Sequence, residues 1–309
     1  MKAVRIHNYG GPEVLKFEDV PRPQPATGDV LIRVHAAAVN PVDWKIREGH
    51  LKDHITYSLP FIPGWDVSGV VAAAGPGVTK FETGDEVFSR PDIARNGAYA
   101  EYIVVRETEV ASKPKSLDHL HSAAIPLAAL TAWQALFDTG GLGAGQKILI
   151  HGASGGVGSF AAQLAKWKGA YVIGTASRRN QSFLRQSGVD EPIDYEKTRF
   201  EEIVHDADIV FDTIGGDTQR RSWQVLKRGG ILVSIVSPPP QEEAAKHGVR
   251  AGYLFMHPDS DELAEIARLV DAGMVKPWVE TVLPLAEARR AQKLSEGGHT
   301  RGKIVLTVA

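Results

Sequence analysis

The chain has 309 residues, a formal net charge of −2 and a hydrophobic fraction of 43%. That length predicts two domains with a large core, and the near-neutral charge leaves no electrostatic basis for binding nucleic acid or an anionic membrane. Cysteine is absent, which excludes disulfides, thiolate catalysis, iron–sulfur clusters and any zinc site built on sulfur. No signal peptide or apolar run of membrane length is visible, so a soluble, cytoplasmic protein is expected.

From Met1 to about Pro114, short strands alternate with Gly- and Pro-rich turns. Met1–His7, Leu31–Ala36, Val67–Ala74, Glu86–Phe88 and Tyr99–Val105 read as strands. Gly10-Gly11-Pro12, Pro21 to Pro25, Gly75-Pro76-Gly77 and Asn96-Gly97 punctuate them, which predicts a compact β-barrel-like domain. From His121 the character changes, and an apolar helical run from Ala123 to Phe137 leads into strand–helix alternation.

The stretch Gln146–Arg179 carries the strongest signal. A buried-strand run, Lys147–Ile150, enters the turn Ala153-Ser154-Gly155-Gly156-Val157-Gly158. A helical pattern with Phe160, Leu164 and Trp167 follows, and then a second strand, Tyr171–Gly174. Ala153, Gly155 and Gly158 fall at the three small-residue positions of a dinucleotide fingerprint. The first allows the tight turn, the second lets a pyrophosphate approach the backbone, and the third lets helix and strand pack closely. Backbone N–H groups at the helix start would then face phosphate oxygens. The alternative is a glycine-rich turn without a ligand.

An NAD site places Asp or Glu roughly twenty residues past the glycines, on the ribose 2′-hydroxyl. This chain reads Ser177-Arg178-Arg179-Asn180 there. Two guanidinium groups and no acid favour a 2′-phosphate, hence NADPH, over a merely solvated basic loop. Further on, Ile209–Asp212 and Ile231–Val236 read as buried strands, and Asp212-Thr213-Ile214-Gly215 lies at the carboxyl end of the first. Ligands lie at such ends in doubly wound sheets. Glu262–Ala272 is an amphipathic helix, and Val279–Leu283 and Lys303–Val308 return to strands that complete the first domain.

Five segments resemble the medium-chain dehydrogenase/reductase superfamily, in its zinc-free quinone oxidoreductase branch. They are Val39-Asn40-Pro41-Val42-Asp43, Ile62–Val71, Gly97–Tyr102, Leu127–Leu136 with Thr131-Ala132-Trp133, and Gly298–Lys303. The resemblance implies an α/β protein: a GroES-like β-barrel domain (1–122 and 275–309), a doubly wound Rossmann domain with a parallel sheet (123–274), and a cofactor cleft between them. In zinc-dependent relatives Cys stands at the place of Asn40 and His-Glu at that of Trp65-Asp66, so a metal-free enzyme is expected. His50/His54 and His119/His121 are imaginable metal pairs but lack a third ligand.

Without a Lewis acid, hydride transfer to a quinone or to the C=C of an enone is easier than carbonyl reduction, because hydrogen bonds suffice for the spread oxyanion. By resemblance, Asn40 would donate to that oxyanion and Thr131 would orient the nicotinamide. Tyr195 resembles the position that contacts the 2′-phosphate. Asp212 to Gly215 and Ser234 to Val236 would line ribose and nicotinamide through backbone groups, Leu254-Phe255-Met256 would meet the carboxamide edge, and Lys303 would reach the phosphates. Lys45 departs from an aromatic residue common in quinone-reducing relatives; Lys45, Tyr57 or solvent would supply the proton. Tyr253–Phe255 resembles a sheet edge that pairs in a homodimer. Rival readings are an enoyl-thioester reductase of the same fold and a non-enzymatic NADPH-binding structural or redox-sensing protein.

Overall fold

Alternating and continuous apolar runs set the strands. In chain order they are β1 (Lys2–Ile6), β2 (Leu15–Asp19), β3 (Asp29–Val39), β4 (Val67–Ala74), β5 (Glu86–Ser89), β6 (Tyr102–Arg106), β7 (Val110–Ser112), β8 (Lys147–Ile150), β9 (Tyr171–Ala176), β10 (Glu191–Asp194), β11 (Ala207–Asp212), β12 (Leu226–Ser234), β13 (Arg250–Tyr253), β14 (Val279–Pro284) and β15 (Lys303–Thr307). The helices are α1 (Pro41–Arg47), α2 (His119–Ala123), α3 (Pro126–Trp133), α4 (Gly156–Trp167), α5 (Gln181–Gln186), α6 (Gly216–Ser222), α7 (Gln241–His247), α8 (Ser260–Asp271) and α9 (Ala288–Glu296). The structure is a computed structural model that describes residues 1–308. Its contacts divide the chain into two units: Met1–Leu127 with His257–Gly273 and Pro277 onward, and Ala128–Met256 with Met274–Lys276.

The first unit is built on a sheet ordered β14-β15-β3-β4-β5-β7, with β6 also on β3 and a separate β1–β2 pair. All of its pairs are antiparallel except β14–β15. The register Ile304↔Val39 and Ala37↔Val67 brings the end of β3 and the starts of β4 and β15 to one edge of the sheet. Gly64, at φ 98°, makes the bend before β4, and a Cβ there would lie 2.3 Å from the Tyr99 ring. Tyr99 and Ala100 pair with Val4 and Ala3 rather than opening β6, as the sequence pattern suggests they would.

Helix α8 groups with the first unit by its contacts. Its Asp271 carboxylate accepts the N–H groups of Lys115 and Ser116 and the Ser116 hydroxyl just past β7. At Asn40-Pro41 the structure has a helix, α1. Asn40 is extended at the N-cap, Pro41 opens the helix, and the Asp43 side chain accepts the Asn40 N–H at 2.8 Å.

The second unit is an all-parallel six-stranded sheet ordered β10-β9-β8-β11-β12-β13, the doubly wound order in which two βαβαβ halves meet at β8 and β11. Its central strands β8 and β11 are buried on both faces, as inner parallel strands must be; Leu149, Ile173, Val210 and Leu232 join Phe200 and Trp223 in the core. The expected helical run Ala123–Phe137 is three pieces: α2, α3 and a π-helical turn, Gln134–Thr139. No helix among the described residues is long and apolar enough to cross a membrane.

Candidate active site

In the second unit, the turn after β8 lies at the carboxyl edge of the sheet, where the strand order reverses. Ala153 is fully buried and bonds through its N–H to the Thr175 carbonyl at 3.0 Å. A Cβ on Gly158 would stand 2.3 Å from the Gly152 carbonyl oxygen and 2.8 Å from Ala153 Cα, so only glycine allows α4 to sit this close. Gly155 is the N-cap, and a Cβ there would meet nothing nearer than Gly152 O at 3.4 Å. The N–H groups of the first turn of α4 (Gly156, Val157, Gly158) lie ahead of any carbonyl four residues back within the helix, as at every helix start.

At the end of β9, Arg178 and Arg179 are exposed and Ser177 is half-buried. Asn180, which carries no family signal in the sequence, is buried and donates to Ser154 Oγ at 3.2 Å and Ser177 Oγ at 3.3 Å, tying the arginine loop to the glycine turn. Glu196 is a second residue that sequence reasoning misses: its carboxylate accepts the Arg178 N–H at 3.2 Å. Tyr195 is 55% exposed, so it is no core tyrosine.

The ends of β11 and β12 are braced by Asp212. Its buried carboxylate accepts from Ile214 N (3.0 Å), Gly215 N (2.8 Å), Gln219 Nε2 (3.0 Å) and Ser234 Oγ (2.9 Å). The Ser234 hydroxyl in turn accepts the Val236 N–H, and Leu254 N–H bonds to the Ser234 carbonyl. Ile214, Val236 and Phe255 are left exposed, Met256 is half-buried, and Thr213 Oγ1 donates to the His151 carbonyl. His151 sits beneath the turn, fully buried, with Nδ1 3.1 Å from Thr175 Oγ1 and Nε2 3.0 Å from Ser222 Oγ. Burial lowers its pKa to about 4, so the ring is neutral. Ser222 donates to the Thr218 carbonyl, so His151 Nε2 carries the proton.

In the first unit, three strand ends deliver Asn40, Asp66 and Lys303 to one buried cluster. Lys303 Nζ donates to Asn40 Oδ1 and, at 3.0 Å, to Asp66 Oδ2. Asn40 Nδ2 donates to the same Asp66 oxygen at 2.8 Å, and Asp66 Oδ1 accepts the N–H of Leu127, in the first turn of α3, at 2.6 Å. Burial raises the Asp66 carboxyl above its ordinary value, while Lys303, Asn40 and Leu127 pull it back. Asp43 lies alongside, wholly buried; its Oδ2 accepts from Asn40 N and from Tyr99 Oη at 2.7 Å, and its Oδ1 has no partner. Burial pushes Asp43 up to about 7. Lys303 was expected at the phosphates; its ammonium instead turns inward, because β15 pairs with β3 in the register that sets residue 303 beside residue 40. Thr131 is buried on α3.

Lys45, half-buried on α1, lies with its ammonium 5.7 Å from the Trp44 ring centroid, and burial lowers its pKa. The Tyr57 hydroxyl donates to the Ile93 carbonyl at 2.8 Å, and burial raises its pKa, which makes it a poor proton donor. His119 stacks on His35 and bonds to Ser68; His121 serves the Asp118 cap of α2; His50 is exposed against Trp44. Among the described residues, no three His, Asp or Glu side chains converge as a metal-holding group.

The family model described as alcohol dehydrogenase GroES-like domain matches residues 26–115, and the one described as zinc-binding dehydrogenase matches residues 187–306. The mouse mitochondrial NAD(P)H oxidoreductase RTN4IP1 is 36% identical, over 100% of this chain and 89% of its own length. The quinone oxidoreductase of Coxiella burnetii superposes with a TM-score of 0.93 at 36% identity, covering 100% of this chain and 99% of that one. The Escherichia coli quinone oxidoreductase complexed with NADPH superposes with a TM-score of 0.91 at 27% identity, over 100% of both chains.

Proposed function

Because this chain belongs to the medium-chain dehydrogenase/reductase family, in its quinone oxidoreductase branch, we propose that it is an NADPH-dependent reductase of quinones or of the C=C of α,β-unsaturated carbonyls, working without a metal. The observation that carries the reading is the small-residue turn at the reversal point of the sheet, which only glycine at 158 permits, with Arg178 and Arg179 exposed at the end of the neighbouring strand.

The residues fit the cofactor. The N–H groups of the α4 first turn suit a pyrophosphate, and the Arg178 and Arg179 guanidiniums, with Ser177 and Tyr195 nearby in sequence or pairing, suit a 2′-phosphate. NADPH supplies a hydride when bound. The protein's part is to orient the acceptor and to hold the negative charge that develops on its oxygen. Asn40 is assigned the holding of that charge, since Nδ2 donates one N–H to Asp66 and retains another. Thr131 is assigned the nicotinamide and Lys45 the proton, because its partly desolvated ammonium gives up a proton more easily than an exposed lysine. Metal independence rests on the donor set: Asn40, Trp65 and Asp66 stand where zinc-dependent relatives have Cys, His and Glu, and Asp66 is already engaged by Lys303.

NADPH oxidation should be compared with 1,2-naphthoquinone, an alkenal and a crotonyl thioester at equal enzyme, with and without chelator. Turnover of either of the first two that survives the chelator is expected. A preference for the thioester would reassign the substrate, and no oxidation with any acceptor would leave only a binding protein. Exposed Tyr253 on the outermost strand, β13, supports a homodimer; a monomeric mass in light scattering would refute it.

A further inference from the structure

The cluster at Asn40 contains more than an oxyanion donor requires. An amide can sit in either of two orientations, with oxygen and nitrogen exchanged, and only one of them presents an N–H. Here each end has a partner of opposite demand. The ammonium of Lys303, which has no acceptor capacity, faces Oδ1, and the carboxylate of Asp66, an acceptor, faces Nδ2. Exchanging the two ends would set NH₂ against NH₃⁺ and a carbonyl against a carboxylate. Each of these contacts is repulsive, and Asn40, Asp66 and Lys303 are 2%, 0% and 4% exposed, so water cannot relieve them.

We propose that Lys303 and Asp66 are positioning residues that lock the Asn40 amide, so that its second N–H is held ready for an acceptor oxygen. The inference rests on the function proposed above for Asn40 and extends it to two residues that touch no reacting atom. A buried ion pair is a weak source of stability, and replacing both members by uncharged groups is often neutral. Orientation of Asn40 accounts for placing one here. The lysine also draws density from the amide carbonyl, which makes the remaining N–H a stronger donor. Asp66 acts a second time through Oδ1, which accepts the Leu127 N–H.

The test is the paired variant Lys303→Met/Asp66→Asn, which leaves neither charge buried alone, set against Asn40→Ala and the triple variant. Thermal melting and NADPH binding by fluorescence serve as folding controls. If the lock operates, the paired variant keeps wild-type affinity for NADPH and loses about 100-fold in kcat, the lower end of the range for losing one oxyanion donor. The triple variant is then no slower than Asn40→Ala. Wild-type kcat in the paired variant, or losses that multiply in the triple variant, overturn the proposal, because a merely structural pair would not share its effect with Asn40. A second readout needs no turnover. In ¹⁵N-asparagine-labelled protein, the Asn40 side-chain amide should show one proton shifted downfield by its bond to the Asp66 carboxylate and a second without that shift, and the distinction should vanish in the paired variant. Two equivalent protons in the wild type refute the lock whatever the enzyme does. A clear lock in a protein that reduces none of the acceptors would overturn the assigned reaction and uphold the lock.

Discussion

Asp43 gives the sharpest prediction. Its carboxyl is wholly buried; Oδ2 accepts two hydrogen bonds and Oδ1 has no partner, which suits a neutral acid better than a carboxylate. Its folded pKa of about 7 lies above the ordinary 3.8. The folded state therefore keeps a proton that the unfolded chain releases. Stability from this group is fully present below pH 3.8 and is lost as pH rises through 7. At about 1.4 kcal/mol per unit, the loss is on the order of 4 kcal/mol. Asp43→Asn keeps an acceptor for Asn40 N and Tyr99 Oη and cannot ionise. Its one cost is an unpaired amide N–H₂ in place of Oδ1, roughly 1–3 kcal/mol. Melting curves at pH 5 and pH 8 should show the variant below or level with the wild type at the lower pH and above it at the higher. A variant destabilised by the same amount at both values would mean that Asp43 is a carboxylate throughout, and the reasoning would fail.

Arg178→Ala should weaken NADPH binding by ~1.5–3 kcal/mol, the worth of a charge-assisted hydrogen bond, and leave NADH nearly unchanged; Glu196→Gln should shift the ratio the other way by removing a like charge beside the phosphate. Fluorescence titration with both cofactors reads each. His151 has a folded pKa of about 4 against an ordinary 6.5, so its contribution is intact above pH 6.5 and is lost as pH falls toward 4, by roughly 3 kcal/mol. In His151→Gln the difference between melting at pH 7 and pH 4.5 should shrink correspondingly. Gly158→Ala should lower the melting temperature and abolish NADPH binding together, since the new methyl meets backbone at 2.3 Å and nothing flexible can yield.

Local signals carried the second unit. The run at 147–150, the turn and the helix ending at Trp167 are legible because a buried strand and an amphipathic helix each impose a period that short sequence windows reveal. Helix α1 is only seven residues long, and Asn-Pro suggests a turn; the acid at position 43, three beyond the cap, is the available signal. The Asn40–Lys303 bond joins residues 263 apart, and only the β3–β15 register makes it. Nothing local could have announced it. Asn180 and Glu196 escape for a related reason: the proposed ribose position is marked in the sequence by Arg178 and Arg179, whereas the neighbours of those cations are supplied by a turn and a loop brought near by folding.

The first unit is assembled from stretches on either side of the second. On a growing chain, β3 is made early, yet the strand that covers its flank emerges only after the entire parallel sheet has been synthesised. The second unit runs unbroken from 128 to 256, with only 274–276 added later, and can mature almost in one pass, whereas the other must wait with one side bare. Slow translation through the final stretch of codons would lengthen that exposure, and chaperone demand should fall on the earlier-made half.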